Sequence, residues 1–238
     1  YLTAYGPVQI ADSSFTYNEV EYSDGGAIYS NSSTLAIRGS TLSSNRALDG
    51  MGGAIYSESP YSSGSDLLLE DSSLDNNEAA YHGGAVASIH NRYEIRRSTF
   101  HVNDTDSNGM GGALFTQDTL SGSVQQSIFT GNNAGYGGAL YSYEPVSGAD
   151  SWENNILVEN TANIGGAMVI SGSDVTSVIN NTFVGNTSVG QGGNLVLVDS
   201  GVTFRNNAVT HSTAGEGVYI YGTHSVDGSS FAYNAWYE

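Results

Sequence analysis

The sequence predicts an all-β fold, a parallel β-helix that runs as one domain over residues 1–238. Three observations predict it. A Gly pair followed by a small and then an aliphatic residue recurs along the chain. It reads Gly25-Gly26-Ala27-Ile28, Gly52-Gly53-Ala54-Ile55, Gly83-Gly84-Ala85-Val86, Gly111-Gly112-Ala113-Leu114, Gly137-Gly138-Ala139-Leu140, Gly165-Gly166-Ala167-Met168 and Gly192-Gly193-Asn194-Leu195, with a degenerate copy at Glu216-Gly217-Val218-Tyr219. The steps are 27, 31, 28, 26, 28, 27 and 24 residues, a period that belongs to solenoids. Upstream of each pair, an apolar residue is followed three positions later by Asn: Phe15/Asn18, Leu42/Asn45, Leu74/Asn77, Phe100/Asn103, Phe129/Asn132, Leu157/Asn160 and Phe183/Asn186, weakening to Val209/Ser212. Finally, no stretch sustains the 3.6-residue apolar period of a helix.

Each unit reads as three short strands. The first follows the Gly pair, as in Ala27-Ile28-Tyr29-Ser30; the second is a segment such as Thr34–Arg38; the third is Ser40-Thr41-Leu42-Ser43, ending at Asn45. These runs are β-prone and bounded by Gly, Asn, Asp and Ser. Three strands cannot bury a face alone, but stacked units form three parallel sheets around one core. Side chains at one position in successive rungs then lie roughly 4.8 Å apart. The rows Ile28, Ile55, Val86, Leu114, Leu140, Met168, Leu195 and Phe15, Leu42, Leu74, Phe100, Phe129, Leu157, Phe183 stack inward. Asn at a corner takes the left-handed conformation and bonds to the rungs above and below as an amide ladder. The Gly pairs supply positive φ for a tight entry into the first strand. They precede strands rather than helices, with no Lys-Ser/Thr after them, so a phosphate cradle is not expected.

The paired signals, Gly-Gly-Ala-Ile/Leu and Phe-x-x-Asn, resemble those of the polymorphic membrane protein passengers of chlamydiae and related bacterial right-handed β-helix repeat proteins. The resemblance spans nearly the whole chain and implies a right-handed solenoid acting as a secreted, surface-displayed and often adhesive stalk. The chain lacks the Cys typical of the chlamydial members and shows no outer-membrane β-barrel.

Composition narrows the function classes. The formal charge is −18, from 24 acidic and 6 basic residues, and all the basic residues are Arg: Arg38, Arg46, Arg92, Arg96, Arg97 and Arg205. Nucleic acid needs a basic patch and is excluded as a partner; anionic membrane surfaces are disfavoured on the same ground. No apolar run reaches the length of a membrane span. With Cys absent, disulfides supply no stability. The acidity suits solubility in an extracellular or cell-surface setting.

Acids gather in the loops before the early Gly pairs: Glu19, Glu21, Asp24, Asp49, Glu78, Asp104 and Asp106. Oxygen-rich loops suit Ca²⁺, so Asp104, Asp106, Glu21 and Asp24 are the candidate ligands of a structural Ca²⁺; no other cofactor is expected. The loop Asn103–Gly109 lacks the distal bidentate Glu of an EF-hand. Catalysis is not expected. Glu58 and Glu144 lie three rungs apart, roughly 14 Å, too far for a direct carboxylate pair. His82, His90, His101, His211 and His224 show no metal spacing.

A row follows the inward aliphatics: Tyr29, Tyr56, Ala87, Phe115, Tyr141, Val169, Val196 and Ile220. Tyr29, Tyr56, Phe115 and Tyr141 are expected outward, as a surface aromatic strip beside a row of small alanines (Ala27, Ala54, Ala85, Ala113, Ala139, Ala167), suited to stacking on sugars or on another fibre. Asn-x-Ser/Thr sequons stand at Asn31, Asn103, Asn180 and Asn186.

Rungs are read from Tyr1 to Trp236, giving roughly nine of about 27 residues, or about 40 Å. No polar cap is visible in the sequence at either end, and open strand edges are templates for pairing. Head-to-tail stacking would set Phe231, Trp236 and Tyr237 of one copy near Tyr1, Leu2 and Tyr5 of the next, a heterologous contact that builds a filament. A segment of a longer solenoid and a self-capping end are the other readings. The expected function is an extracellular structural or adhesin-like rod, partnered by itself and by polysaccharide or cell-surface glycan. The rival is a polysaccharide-binding or polysaccharide-cleaving module.

Overall fold

The computed structural model describes residues 7–60, 65–145, 150–173, 176–210, 212, 216–222 and 229–237. Tyr1, Leu2 and Tyr5, expected at the assembly end, lie outside the described residues. The chain winds as a parallel β-solenoid, as the repeat predicts. One turn shows its plan: Leu114–Gln117, Ser121–Gln125, Ile128–Thr130 and Asn133–Tyr136. Each strand pairs in parallel with its counterparts one turn before and after. Among the described residues four sheets result, of eight, nine, nine and seven strands in the order of that turn. The second and third sheets thus carry the nine expected rungs; the first rung's place in the Gly-pair sheet lies outside the described residues.

The three-sheet expectation needs a correction. A fourth short strand follows each ladder Asn, as in Arg46–Ala47 and Glu78–Ala79. Its buried residue is small or short: Ala47, Ala79, Thr105, Ala134, Ala162 or Ser188. So small a side chain lets the chain turn back towards the core within a residue or two, and so short an apolar signal is invisible to a strand pattern.

The lumen is lined by apolar side chains over most of its height. The two predicted rows face it, joined by Leu35, Ile37, Leu67, Leu69, Ile95, Val124, Trp152, Val178, Val202 and Phe204. Like stacks on like, with Phe100 and Phe129 parallel at 4.6 Å between centroids. The small residues of the Gly-Gly-Ala motif also belong here: Ala54, Ala85, Ala113, Ala139 and Ala167 are fully buried. The expected outward row of alanines is thus wrong. The chain bends at the second Gly and turns that next side chain into the lumen.

The amide ladder forms as predicted, but the left-handed residue at the corner is the one before each ladder Asn, as at Ser44, Asn76, Val102 and Gly131, and not the Asn itself. Nδ2 of Asn77, Asn103, Asn132 and Asn160 donates to Oδ1 of Asn103, Asn132, Asn160 and Asn186 in turn, at 2.9–3.0 Å. Each also donates to a carbonyl one turn back, as Asn132 does to Phe100 at 3.1 Å. Every amide hydrogen and lone pair inside the corner thereby finds a partner, which buried polar groups require. Where the next turn offers only Ser212, the ladder is completed by Asn194, which stands in the Ala position and accepts from Asn186 Nδ2 at 3.0 Å. A second ladder runs along Ser40, Ser72, Ser98, Ser127, Asn155, Asn181 and Asn207.

The two glycines of each pair have different reasons. The first takes positive φ, between 62° and 69° in the seven copies. The second has no room for a side chain: a Cβ on Gly26, Gly53, Gly84, Gly112, Gly138 or Gly166 would lie 2.1–2.3 Å from the carbonyl oxygen of the equivalent residue one turn on. In the degenerate copy Val196 pairs with Tyr219, so Val218 is the inward residue and Tyr219, not Ile220, continues the outer row. The sequence alignment there was one residue out of step.

Candidate functional site

The surface of a solenoid is a set of columns, one residue per turn, and its candidate sites are the grooves between columns. A polar groove runs beside the amide ladder. One wall is the fourth-sheet column Glu19, Arg46, Glu78, Asp104 and Asn133, in register on successive turns. The other is the turn that closes the third sheet, where Tyr17, Ser44, Asn76, Val102 and Gly131 all hold positive φ. The concavity holds about 470 Å³ and is lined by residues of both walls with the ladder Asn77 and Asn103 at its floor.

Its charges are paired along the axis. Arg46 Nε donates to Glu78 at 3.0 Å and its Nη1 to Glu19 at 3.2 Å; the carboxylates in turn raise the Arg46 pKa, Glu78 contributing most. Asp104 Oδ1 accepts from Asn133 Nδ2 at 2.6 Å. Burial of its carboxyl group raises the Asp104 pKa, the Asn133 bond opposes this, and Glu78 and Asp106 add to the rise. Sequence reading collected Glu78 and Asp104 only as loop acids. The signal that pairs them was present: each residue directly after a ladder Asn belongs to one column.

The candidate Ca²⁺ ligands do not converge. Asp24 is spent on the Met51 backbone N–H at 2.7 Å, and Glu21 is exposed on the same early turn. Asp104 and Asp106 lie three turns further on. Among the described residues no three His, Asp or Glu side chains could hold a metal ion together. Glu58 and Glu144 stay three turns apart, since Glu58 pairs with Ile89, Ile89 with Gln117 and Gln117 with Tyr143. The arginines near Asp104 in sequence are engaged elsewhere: Arg92 with Asp66, Arg96 with Glu94, and Arg97 with Glu70 and Asp71.

The expected surface aromatic strip is corrected in its exposure. Tyr56, Phe115 and Tyr141 do face outward but are 8%, 2% and 8% exposed. They form a second apolar cluster outside the lumen with Ala87, Ile89, Val169 and Val196, flanked by Tyr29, Met51, Met110, Tyr136 and Ile164. The segments that return from the fourth sheet to the Gly pairs fold over them, as His82 does on Phe115 at 4.7 Å. Only Tyr29 is half-exposed, stacked on Tyr56 at 5.3 Å. Towards the last turns the cover thins to an apolar groove of about 300 Å³ with Tyr136, Tyr219 and Tyr221. A third, shallow groove of about 550 Å³ lies on the second sheet around Leu68, Arg92, Glu94 and Ser123.

At the last described turn Phe231, Trp236 and Tyr237 are 39%, 52% and 60% exposed. Phe231 and Trp236 both lie on Phe204, at 5.4 and 6.1 Å. Of the sequons, Asn103 and Asn186 are buried in the ladder; Asn180 is exposed and Asn31 half-buried. Among the described residues no helix is long and apolar enough to cross a membrane.

Comparison with known families gives one finding. The model of the Chlamydia polymorphic membrane protein repeat matches residues 126–143, a stretch that holds Phe129-x-x-Asn132 and Gly137-Gly138-Ala139-Leu140. The chain resembles the β-helix passengers of those proteins. Neither the curated proteins nor the solved structures searched contain a match.

Proposed function

We propose that the chain is the shaft of a bacterial surface protein, a non-enzymatic and adhesin-like β-solenoid that stands outside the cell and presents its lateral faces. The observation that carries this reading is the match of residues 126–143 to the Chlamydia polymorphic membrane protein repeat, because the same two signatures recur on the other turns. The physics of the fold suits the role. In-register stacking joins each turn to both neighbours, and the outer columns are free to vary without disturbing the core. A charge of −18 keeps such a rod soluble. Antibodies raised against the chain test the reading on cells that produce it. Labelling of intact cells supports it, and labelling only after permeabilisation overturns it.

A second, finer reading is end-to-end association. It is supported by the exposed aromatic face of Phe231, Trp236 and Tyr237, which suits an apolar partner stacked on the last turn. A second copy and a further turn of a longer chain would both cover it. Sedimentation of the isolated chain separates them: concentration-dependent growth lost in Trp236→Ala supports self-association, and a monomer at all concentrations contradicts it.

A further inference from the structure

We infer that the groove beside the amide ladder, between Tyr17 and Asn133, binds an extended neutral glycan along the solenoid axis. The inference deepens the adhesive reading above and rests on it. Four observations on the groove combine.

Its length and period fit a polymer. The lip residues Tyr17, Ser44, Asn76, Val102 and Gly131 occupy five successive turns, each donating its backbone N–H to the following turn. Equivalent backbone positions thus repeat at about 4.8 Å, close to the advance of an extended pyranoside chain per sugar, while the side chains they carry differ from turn to turn. Successive sugars can meet equivalent positions without bending.

Its chemistry fits hydroxyl groups. The Asp104 carboxylate and Asn133 amide, joined at 2.6 Å, offer acceptor and donor side by side, the pattern that vicinal hydroxyls match. Glu78 and Arg46, joined at 3.0 Å, repeat that acceptor–donor pair two turns away. Ionised partners make these hydrogen bonds stronger than neutral ones.

An aromatic platform stands at one end. Tyr17 is 83% exposed, and it lines the same concavity as Arg46 and Asp104. An amphipathic ring, with an apolar face and a polar tip, can receive the apolar face of a pyranose. Gly131 keeps the opposite end open, since a Cβ there would meet only Val102, at 3.5 Å.

The charge selects against acidic sugars. Glu19, Glu78 and Asp104 outnumber Arg46 in this column, and Arg46 is already held by two carboxylates. A uronic acid would be repelled; a neutral hexose would not.

The test is titration of the whole chain with neutral hexose oligosaccharides and with uronic-acid oligosaccharides of equal length. The expected result is binding of the neutral series only, weakened about tenfold or more by Asp104→Ala, a charged hydrogen bond being worth that much, and likewise weakened by Tyr17→Ala. Tyr233→Ala, an equally exposed aromatic outside the groove, leaves binding unchanged. Both groove residues are exposed, so unchanged circular dichroism and melting temperature verify the fold of each variant. Absence of neutral-glycan binding, preference for uronic acids, or binding indifferent to both groove variants overturns the inference. None of these outcomes touches surface labelling of intact cells, so failure here is separable from failure of the shaft reading.

Discussion

Tyr93 Oη donates to Asp150 Oδ2 at 2.9 Å across a turn of the solenoid that places no side chain between them. The intervening residue is Gly122, which pairs with Tyr93 and leaves the Tyr93 ring the space its own side chain would fill. Ser142 and Thr119 complete the set around Asp150 at 3.3 and 3.5 Å. Asp150 is wholly buried, a carboxyl group in the interior of the solenoid.

Burial pushes the Asp150 pKa up to about 6 against these hydrogen bonds. A carboxyl whose folded pKa lies above its unfolded value binds its proton more tightly in the native state. Its contribution to stability is therefore full below the ordinary carboxyl range and is lost as pH rises through about 6. Asp150→Asn removes that slope. Urea unfolding at neutral pH is expected to show the variant gaining on the wild type by about 2 kcal/mol relative to the difference at pH near 4. A difference independent of pH would show that Asp150 is not the titrating group.

Gly122→Ala is expected to destabilise the chain. A Cβ there would lie 2.0 Å from Tyr93 Cζ, and moving the ring breaks its bond to Asp150. Overpacking and the lost bond together cost about 2–4 kcal/mol. The double variant Tyr93→Ala/Gly122→Ala is expected to lose less than the sum of the two single variants, because the clash needs both side chains. Chemical denaturation of the four proteins measures this coupling directly.

Ladder positions should differ in cost by their number of partners. Asn132→Ala orphans donors on Asn103 and the Phe100 carbonyl in the interior, and about 3–5 kcal/mol is expected, from 1–3 per buried unpaired group. Asn194→Ala removes one acceptor from Asn186 and one donor to Thr210, and about half that loss is expected. Thermal unfolding of both variants checks the order.

Surface ion pairs should matter little. Arg97 bridges Glu70 and Asp71; Arg38 first and then Arg97 lower the Glu70 pKa, and Arg97 lowers that of Asp71. Arg97 and Asp71 are exposed and Glu70 is half-buried, and ion pairs so close to solvent are screened and contribute little. Arg97→Ala is expected to leave the urea midpoint nearly unchanged at 0.15 M salt. A large shift would mean that the Arg97 network is more shielded than its exposure indicates.

Much of this fold was legible because one rule repeats. The Gly pair, the inward aliphatic and the ladder Asn each recur often enough to fix period, strand class and core rows. What escaped was set by single residues acting across turns. The fourth strand is two residues long in several turns, below any pattern. Tyr56 and Phe115 alternate outward as a strand rule demands, yet the loops that bury them carry no periodic signal. Asp150 pairs with Tyr93 only because Gly122 is missing a side chain between them, a relation over 57 residues. The groove column of Arg46, Glu78 and Asp104 was readable in principle, one step after each Asn.

All of these relations depend on continuous stacking of the turns. Hydrogen exchange of the native chain, resolved strand by strand, tests that most directly. The predicted result is slow exchange shared by all four sheets over the central turns, loosening only towards the first and last, as nearest-neighbour coupling requires. Separate blocks of turns exchanging at unrelated rates, or one sheet exchanging fast along its whole length, would contradict the continuous shaft.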